Sequence, residues 1–154
     1  MDLPGGRRPG QTDVLALMRS PRGVAAVAVE GKVDEAFGPT VGEKRGEASA
    51  GVDERLSWLI DFLEFPACPD TIRYQLLHRT ASALLAAQQF DAAAAVMLVH
   101  SFSPNSQWFD DFAEFVGLFG LESEVGRVQR VAHDVGMPLF LGWCQGDKRF
   151  RARL

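Results

Sequence analysis

Residues 13–33, DVLALMRSPRGVAAVAVEGKV, decide the fold. Two apolar runs, 14–18 and 24–29, flank the turn Ser20-Pro21-Arg22-Gly23, and that combination predicts a β-hairpin. A symmetric antiparallel register centred between Pro21 and Arg22 pairs Ser20 with Gly23, Val14 with Val29 and Asp13 with Glu30. Directly opposed residues have Cβ atoms about 4.5–5.5 Å apart. Successive side chains alternate faces, so Glu30 and Lys32 share a face with Asp13. A slip of one residue would instead set Asp13 against Val29 and turn it to the other side. Both faces of the strands are apolar, Leu15 and Leu17 alternating with Val14, Ala16 and Met18. Strands of that kind are expected inside a sheet with helices on each side.

Outward from the hairpin, residues 37–51 are rich in glycine, carry no hydrophobic period and read as a loop. A helix is expected from Asp53 as cap, with Leu56, Leu59, Ile60 and Leu63 at helical spacing and a stop before Pro66. A second, over about 72–89, sets Leu77, Ala81, Leu84 and Leu85 on one side and gathers Gln75, His78, Arg79 and Ser82 on another. The run AAAVMLVHSF (93–102) has the character of a buried parallel strand. Ser103 as N-cap and Pro104 at the first helical position then predict a helix carrying Trp108, Phe112, Phe115, Val116 and Phe119, stopped at Gly120. Residues 121–134 suggest a further helix, and PLFLGWC (138–144) a last strand. The alternation of strands and helices indicates an α/β domain with a mixed sheet.

The chain's 154 residues, 47% of them hydrophobic, suffice for one domain over 1–154. No apolar run is long enough to span a membrane and the N-terminus resembles no signal peptide, so a soluble cytoplasmic protein without membrane contact is expected. Cys68 and Cys144 match no zinc or disulfide pattern. The net charge of −4 argues against nucleic-acid binding through bulk positive charge. That charge is unevenly spread: residues 1–32 carry five Lys/Arg against three Asp/Glu, and 147–154 carry four against one.

Asp13, Glu30 and Lys32 are the residues that suggest chemistry. Two carboxylates so close repel unless a cation neutralises them or one binds a proton. Mg²⁺ or Mn²⁺ suits such a pair, taking one or two carboxylates together with waters and substrate phosphate. A lysine beside that ion can orient a water or stabilise charge developing on a phosphate. The competing reading is a plain strand end whose charges emerge into solvent.

Pro9, Asp13 and Glu30-Gly31-Lys32 resemble the P-D…(D/E)-x-K signature of the PD-(D/E)XK nuclease superfamily, whose core runs α-β-β-β-α-β. The segments AVEGKVDEAFGPTV, IRYQLLHRTASALL, AVMLVHSFSP and WFDDFAEF are similar to an uncharacterised bacterial family placed in that superfamily. The resemblance implies a restriction-endonuclease-like mixed sheet flanked by helices, with Asp13 and Glu30 holding Mg²⁺ (or Mn²⁺) and Lys32 assisting the attacking water. It implies hydrolysis of nucleic acid, DNA favoured, and makes Gln75 the polar helix residue that completes the catalytic set, with His78 and Arg79 as weaker candidates. Only twelve residues precede Asp13, so the first helix and most of the first strand are expected to be missing, Met1–Leu3 at most ending that strand. The alternative is a catalytically inactive, nuclease-like binding protein. An unpaired sheet edge would then invite a homodimer or a protein partner.

Other conspicuous residues read as structural. His78 and His100 are expected to be hydrogen-bonded structural histidines, His133 belongs to no cluster, and a Cys/His nucleophile pair at Cys144 has only composition behind it. The aromatic residues 108–119 fit a core better than a base-stacking surface, with Asp110, Asp111 and Glu114 as the wet face. Arg7, Arg8, Arg19 and Arg22 flank the proposed site in sequence and are candidates for backbone phosphate contacts.

Overall fold

The computed structural model describes residues 12–47, 49–132 and 135–153. Met1–Leu3, Arg7, Arg8, Pro9 and His133 lie outside them. The hairpin forms as expected: β1 (Val14–Ser20) and β2 (Gly23–Lys32) are antiparallel, with Val14 opposite Val29 and Ser20 opposite Gly23. Gly23 leaves the turn at φ 122°, a conformation that a side chain would strain, and Ser20 Oγ donates to its carbonyl at 2.8 Å. β3 (Ala94–Ser101) adds in parallel to β2, β5 (Leu139–Gln145) in parallel to β3, and β4 (Val128–Arg130) antiparallel to β5. The result is a five-stranded mixed sheet in the order β1-β2-β3-β5-β4, packed with helices. The chain is thus α/β.

Helix α3 (Tyr74–Gln89) lies across β2 and β3, close to the expected 72–89. The approach is close because both sides are lined with alanine: Ala26, Ala28 and Ala95 on the strands, Ala81, Ala83 and Ala87 on the helix, all buried. Ser82, expected on the helix's polar side, is buried as well. Helix α4 (Phe109–Gly117) reaches the same face of the sheet, its Phe109 and Phe112 rings lying 5.3 and 5.5 Å from that of Trp143 on β5.

Both α3 and α4 pack on the face that Glu30 shares; on the opposite face, among the described residues, Val27 is buried and Ala25, Val29, Val96, Leu98 and Phe140 are half-buried. Of the two apolar runs, β2 lies inside the sheet as expected, whereas β1 is an edge strand among the described residues, with Val14, Leu17 and Met18 more than half exposed.

Expectations for the helical segments also change. Residues 37–51 are not a plain loop, since α1 (Val41–Gly46) forms inside them. Its start is a reciprocal cap: Glu43 N–H donates to Thr40 Oγ1 at 3.2 Å and Thr40 N–H to Glu43 Oε2 at 2.6 Å. The helix is docked onto the approach to α3, with Val41 N–H on Ile72 O and Gly42 N–H on Asp70 O. A Cβ on Gly42 would come within 2.9 Å of Asp70. Next, α2 (Ala50–Phe62) begins after Ser49, which leaves Asp53 within its first turn rather than at its cap. Finally, α4 starts after Trp108 and not after Ser103. Ser103 Oγ instead accepts from Gln107 N–H, turns close at 103–106 and 106–109, and Trp108 takes φ 69°.

Residues 121–134 form no helix among the described positions. Gly126 at φ 84° turns the chain so that β4 can pair with β5. The apolar residues there satisfied a helical spacing, and strand pairing overrode it.

Ala28→Leu, which overpacks the alanine-lined seam, should cost about 1–3 kcal/mol. Leu17→Thr on exposed β1 should stay within about 0.5 kcal/mol of wild type, both read from urea denaturation midpoints.

Candidate functional site

Alternation along β2 turns Ala26, Ala28, Glu30 and Lys32 to the face that α3 covers, and the two charged residues come last, at the carboxyl end of the strand. Carboxyl ends of parallel strands are where open α/β sheets hold ligands. Glu30 is 3% exposed and Lys32 4%. Buried charge is tolerated only when paired and hydrogen-bonded, and here it is both.

Lys32 Nζ lies 3.1 Å from Glu30 Oε1, and donates to Gln75 Oε1 at 3.0 Å and to Ala36 O at 3.4 Å, with the Phe37 ring 5.0 Å away. Gln75 Nε2 donates to Glu30 Oε1 at 2.5 Å. The Gln75 amide therefore bridges the pair, oxygen to ammonium and nitrogen to carboxylate. Arg79 Nε donates to the second carboxylate oxygen, Oε2. One helical turn of α3 supplies both groups, since positions i and i+4 share a face.

Of the residues expected from sequence, Glu30, Lys32 and Gln75 are brought into direct contact. Asp13 stands at the foot of β1, and its Oδ2 accepts the Gly31 N–H at 2.8 Å, beside the cluster rather than bonded to it. Arg79, ranked below Gln75, contacts Glu30 directly. Arg19 and Arg22 do not flank the site, because the hairpin turn lies at the other end of β2, about 23 Å from Glu30 along the strand. His100 projects from the opposite face of the sheet, its ring 4.5 Å from that of Phe102, and its register partner on β5 is Cys144. Both cysteines are free, and burial pushes the Cys68 thiol up. On α4, the expected wet face is partly engaged: Asp111 binds Arg73 at 2.8 Å, and Glu114 accepts from Thr71.

A cleft of about 450 Å³ opens beside the cluster, between β2, the 36–39 segment, α1, α2 and α3. Lys32, Gln75, His78 and Arg79 line it with Lys44, Arg55 and Tyr74. Lys44 and Arg55 went unnoticed in sequence because they come from a presumed loop and a presumed solvent face. Lys44 sits 5.7 Å over the Tyr74 ring, and Arg55 bonds the Tyr74 hydroxyl, whose acidity burial lowers, pushing its pKa up.

For a divalent cation the donor chemistry fits. Mg²⁺ takes one or two protein carboxylates alongside waters and substrate phosphate, and Asp13, just before β1, and Glu30, on β2, are two such groups. Among the described residues, no group of three or more His, Cys, Asp or Glu side chains converges. Glu30 Oε2 already holds Arg79, so a cation reaching it would exchange with that guanidinium.

Two outcomes test this geometry. Glu30→Gln leaves Lys32 and Arg79 buried without their counter-charge and should cost about 3 kcal/mol in denaturant unfolding. His78 is held neutral: burial above all, then Arg79 and Arg55, lower its pKa from 6.5 to about 4. The unfolded chain binds a proton on this residue more readily, so stability is lost as pH falls from 6.5 toward 4, by about 2 kcal/mol after allowing for partial solvent access. Between pH 7 and 4.5 the melting temperature of wild type should therefore fall more than that of His78→Gln.

Comparison with curated proteins and with solved structures finds no match. A family model described as Domain of unknown function (DUF6946) matches residues 1–148, nearly the whole sequence. The strand-end cluster and its cleft are thus features of a chain that belongs to the DUF6946 family.

Proposed function

We propose that this domain is a metal-dependent nuclease of restriction-endonuclease-like fold, hydrolysing phosphodiester bonds of nucleic acid, DNA favoured, with Mg²⁺ or Mn²⁺. One observation carries the reading: a buried Glu-x-Lys pair at the carboxyl end of a strand, joined to Gln75 on the helix that crosses it. The element order supports it: with α1 and α2 inserted between β2 and α3, the elements β1, β2, α3 and β3 follow one another as in the β-β-α-β portion of the superfamily's α-β-β-β-α-β order. Asp13 and Glu30 would hold the cation, which when bound polarises a phosphoryl oxygen and makes a bound water more acidic. Lys32 stabilises negative charge gathering on the phosphate as water attacks phosphorus and the P–O bond to the departing strand breaks. Gln75 keeps the Lys32 ammonium and the Glu30 carboxylate in register. Two free cysteines accord with a reducing, cytoplasmic setting.

A second reading is favoured by Arg79. Both Glu30 oxygens are satisfied from within the chain, as expected of a nuclease-like protein that binds without cutting. The exposed β1 edge would suit a second copy or a protein partner in that case.

Cleavage of plasmid and single-stranded oligonucleotide with Mg²⁺ or Mn²⁺ separates the two. Under the first reading wild type cuts, and Lys32→Ala, Glu30→Ala and Asp13→Asn each lose at least about 100-fold, the scale of a positioned charge removed from a transition state. Cleavage that survives both Lys32→Ala and Glu30→Ala overturns the proposed site. No cleavage of any substrate leaves the binding reading.

A further inference from the structure

Residues 13–19, DVLALMR, mirror one another about Ala16: Leu15 answers Leu17, Val14 answers Met18, and at the two ends an acid, Asp13, answers a base, Arg19. The stretch coincides with β1 and the residue before it, which among the described residues is an edge of the sheet. Asp13, Val14, Leu15, Leu17, Met18 and Arg19 are exposed, and Ala16 is half-buried. Sheet edges are ordinarily blunted by proline, lysine or a bulge. β1 carries neither residue, and its register with β2 runs unbroken from Val14 to Ser20.

The backbone groups on that outer edge follow from the rest of the sheet. Val24 O accepts from Ala93 N–H and Lys32 O from Phe102 N–H, so the even-numbered residues of β2 bond toward β3. The odd-numbered ones bond toward β1, where Ala25, Val27 and Val29 oppose Met18, Ala16 and Val14. Gly31 N–H agrees, since it meets Asp13 Oδ2 on that side. The N–H and C=O groups of Asp13, Leu15, Leu17 and Arg19 therefore point away from β2, toward the place of a further strand.

We propose that this strand is β1 of a second copy of the chain, antiparallel, with the two-fold axis at Ala16. In that register Leu15 faces Leu17 and Asp13 faces Arg19 as hydrogen-bonded pairs, all four through outward-pointing groups. Val14 faces Met18 and Ala16 faces its own copy as the closer, unbonded pairs. Every contact between unlike residues occurs twice, as a two-fold interface requires. Charge selects the register: moving the axis to Leu15 or Leu17 keeps the bonding pattern but sets Asp13 or Arg19 against a leucine. Charge also selects the occupant, because the stretch matches itself at both ends, which the strand of an unrelated partner has no reason to do. Asp13 Oδ2 stays on Gly31 and leaves Oδ1 for the guanidinium. Opposed residues share a face, so both Glu30 clusters fall on one side of the joined sheet. The pairing stands apart from the nuclease reading, since neither metal nor substrate enters it.

Sedimentation of the full chain over a concentration series is the test. Wild type should dimerise. Asp13→Arg and Arg19→Asp each set like charges opposite at both ends, and each should weaken self-association at least about tenfold. An equimolar mixture of the two variants should dimerise again, because each supplies the charge that the other lacks. Leu17→Pro removes an outward N–H and no bond to β2, so the hairpin should stay folded and the chain monomeric. Oxidised in air, Ala16→Cys should cross-link two copies, whereas Val14→Cys should not, its two sulfurs lying about 14 Å apart across the axis. If a charge variant unfolds, Leu17→Pro and the cross-link still decide. Wild type that stays monomeric throughout overturns the pairing, whether the edge then serves another protein or none. A dimer indifferent to Leu17→Pro overturns the assignment to β1. A mixture that stays monomeric, or a cross-link at Val14→Cys and not at Ala16→Cys, overturns the register. Failure of the nuclease reading shows only in cleavage, which none of these measurements uses.

Discussion

The buried carboxylate of Glu30 is the constraint on which the rest of the site depends. An ionised carboxylate removed from water is tolerated only with its oxygens satisfied, and every partner it uses fixes something larger. Lys32 shares its strand, so that bond costs no long-range order. Gln75 and Arg79 belong to α3, so theirs sets the rotation of the helix on the sheet. Turning α3 by one residue would swing both groups away from the carboxylate. Buried ion pairs contribute little net stability compared with a well-packed apolar seam, and the alanine-lined contact between α3 and the sheet supplies that packing here. The charged end of β2 instead selects one docking among the several that a seam of small residues would allow.

What was legible in the sequence follows how local the determining physics is. The hairpin register could be read to the residue because a two-residue turn fixes it, and with it the shared face of Glu30 and Lys32. Helix α3 was legible from its long apolar period, and β3 from a compact apolar run. The six-residue α1 was not, since it depends on the Thr40–Glu43 cap and on backbone contacts with residues 70–72 far along the chain. Strand β4 exists because β5 offers an edge, which no local pattern encodes. In the site, the Glu30–Lys32 pair and Gln75 could be anticipated, whereas the role of Arg79 turns on one side chain reaching one oxygen. Lys44 and Arg55 arrive from elements whose mutual placement is purely tertiary.

The acidic total of the chain conceals this arrangement. Positive charge at the ends of the sequence pointed to the hairpin turn as a phosphate contact, yet that turn lies at the far end of β2 from the cluster. The cations that gather around a common opening come instead from residues 32, 44, 55 and 79, spread through a stretch of the sequence with no net basic character. Net charge constrains solubility and long-range attraction. A concave site answers to its local surroundings: burial above all, and then Arg79 and Arg55, hold the His78 pKa below its ordinary value.

The β1 edge, unpaired among the described residues, has a consequence for how the chain acquires its structure. The hairpin closes through neighbouring residues and can form within about 1–10 μs. The next strand on β2 is β3, and Ala25 must wait for Ala94 to arrive in parallel register with α3 already packed between. Such non-local pairing is the slow part of folding. During that interval both edges of an uncharged VLALM/VAAVAV ribbon are open to any other strand, with Arg19 the one charged residue among the paired positions of β1. Once β3 docks, β2 is sealed on both sides and, among the described residues of the hairpin, the outer edge of β1 remains, so the hazard of intermolecular pairing is greatest early and at high concentration of newly made chain.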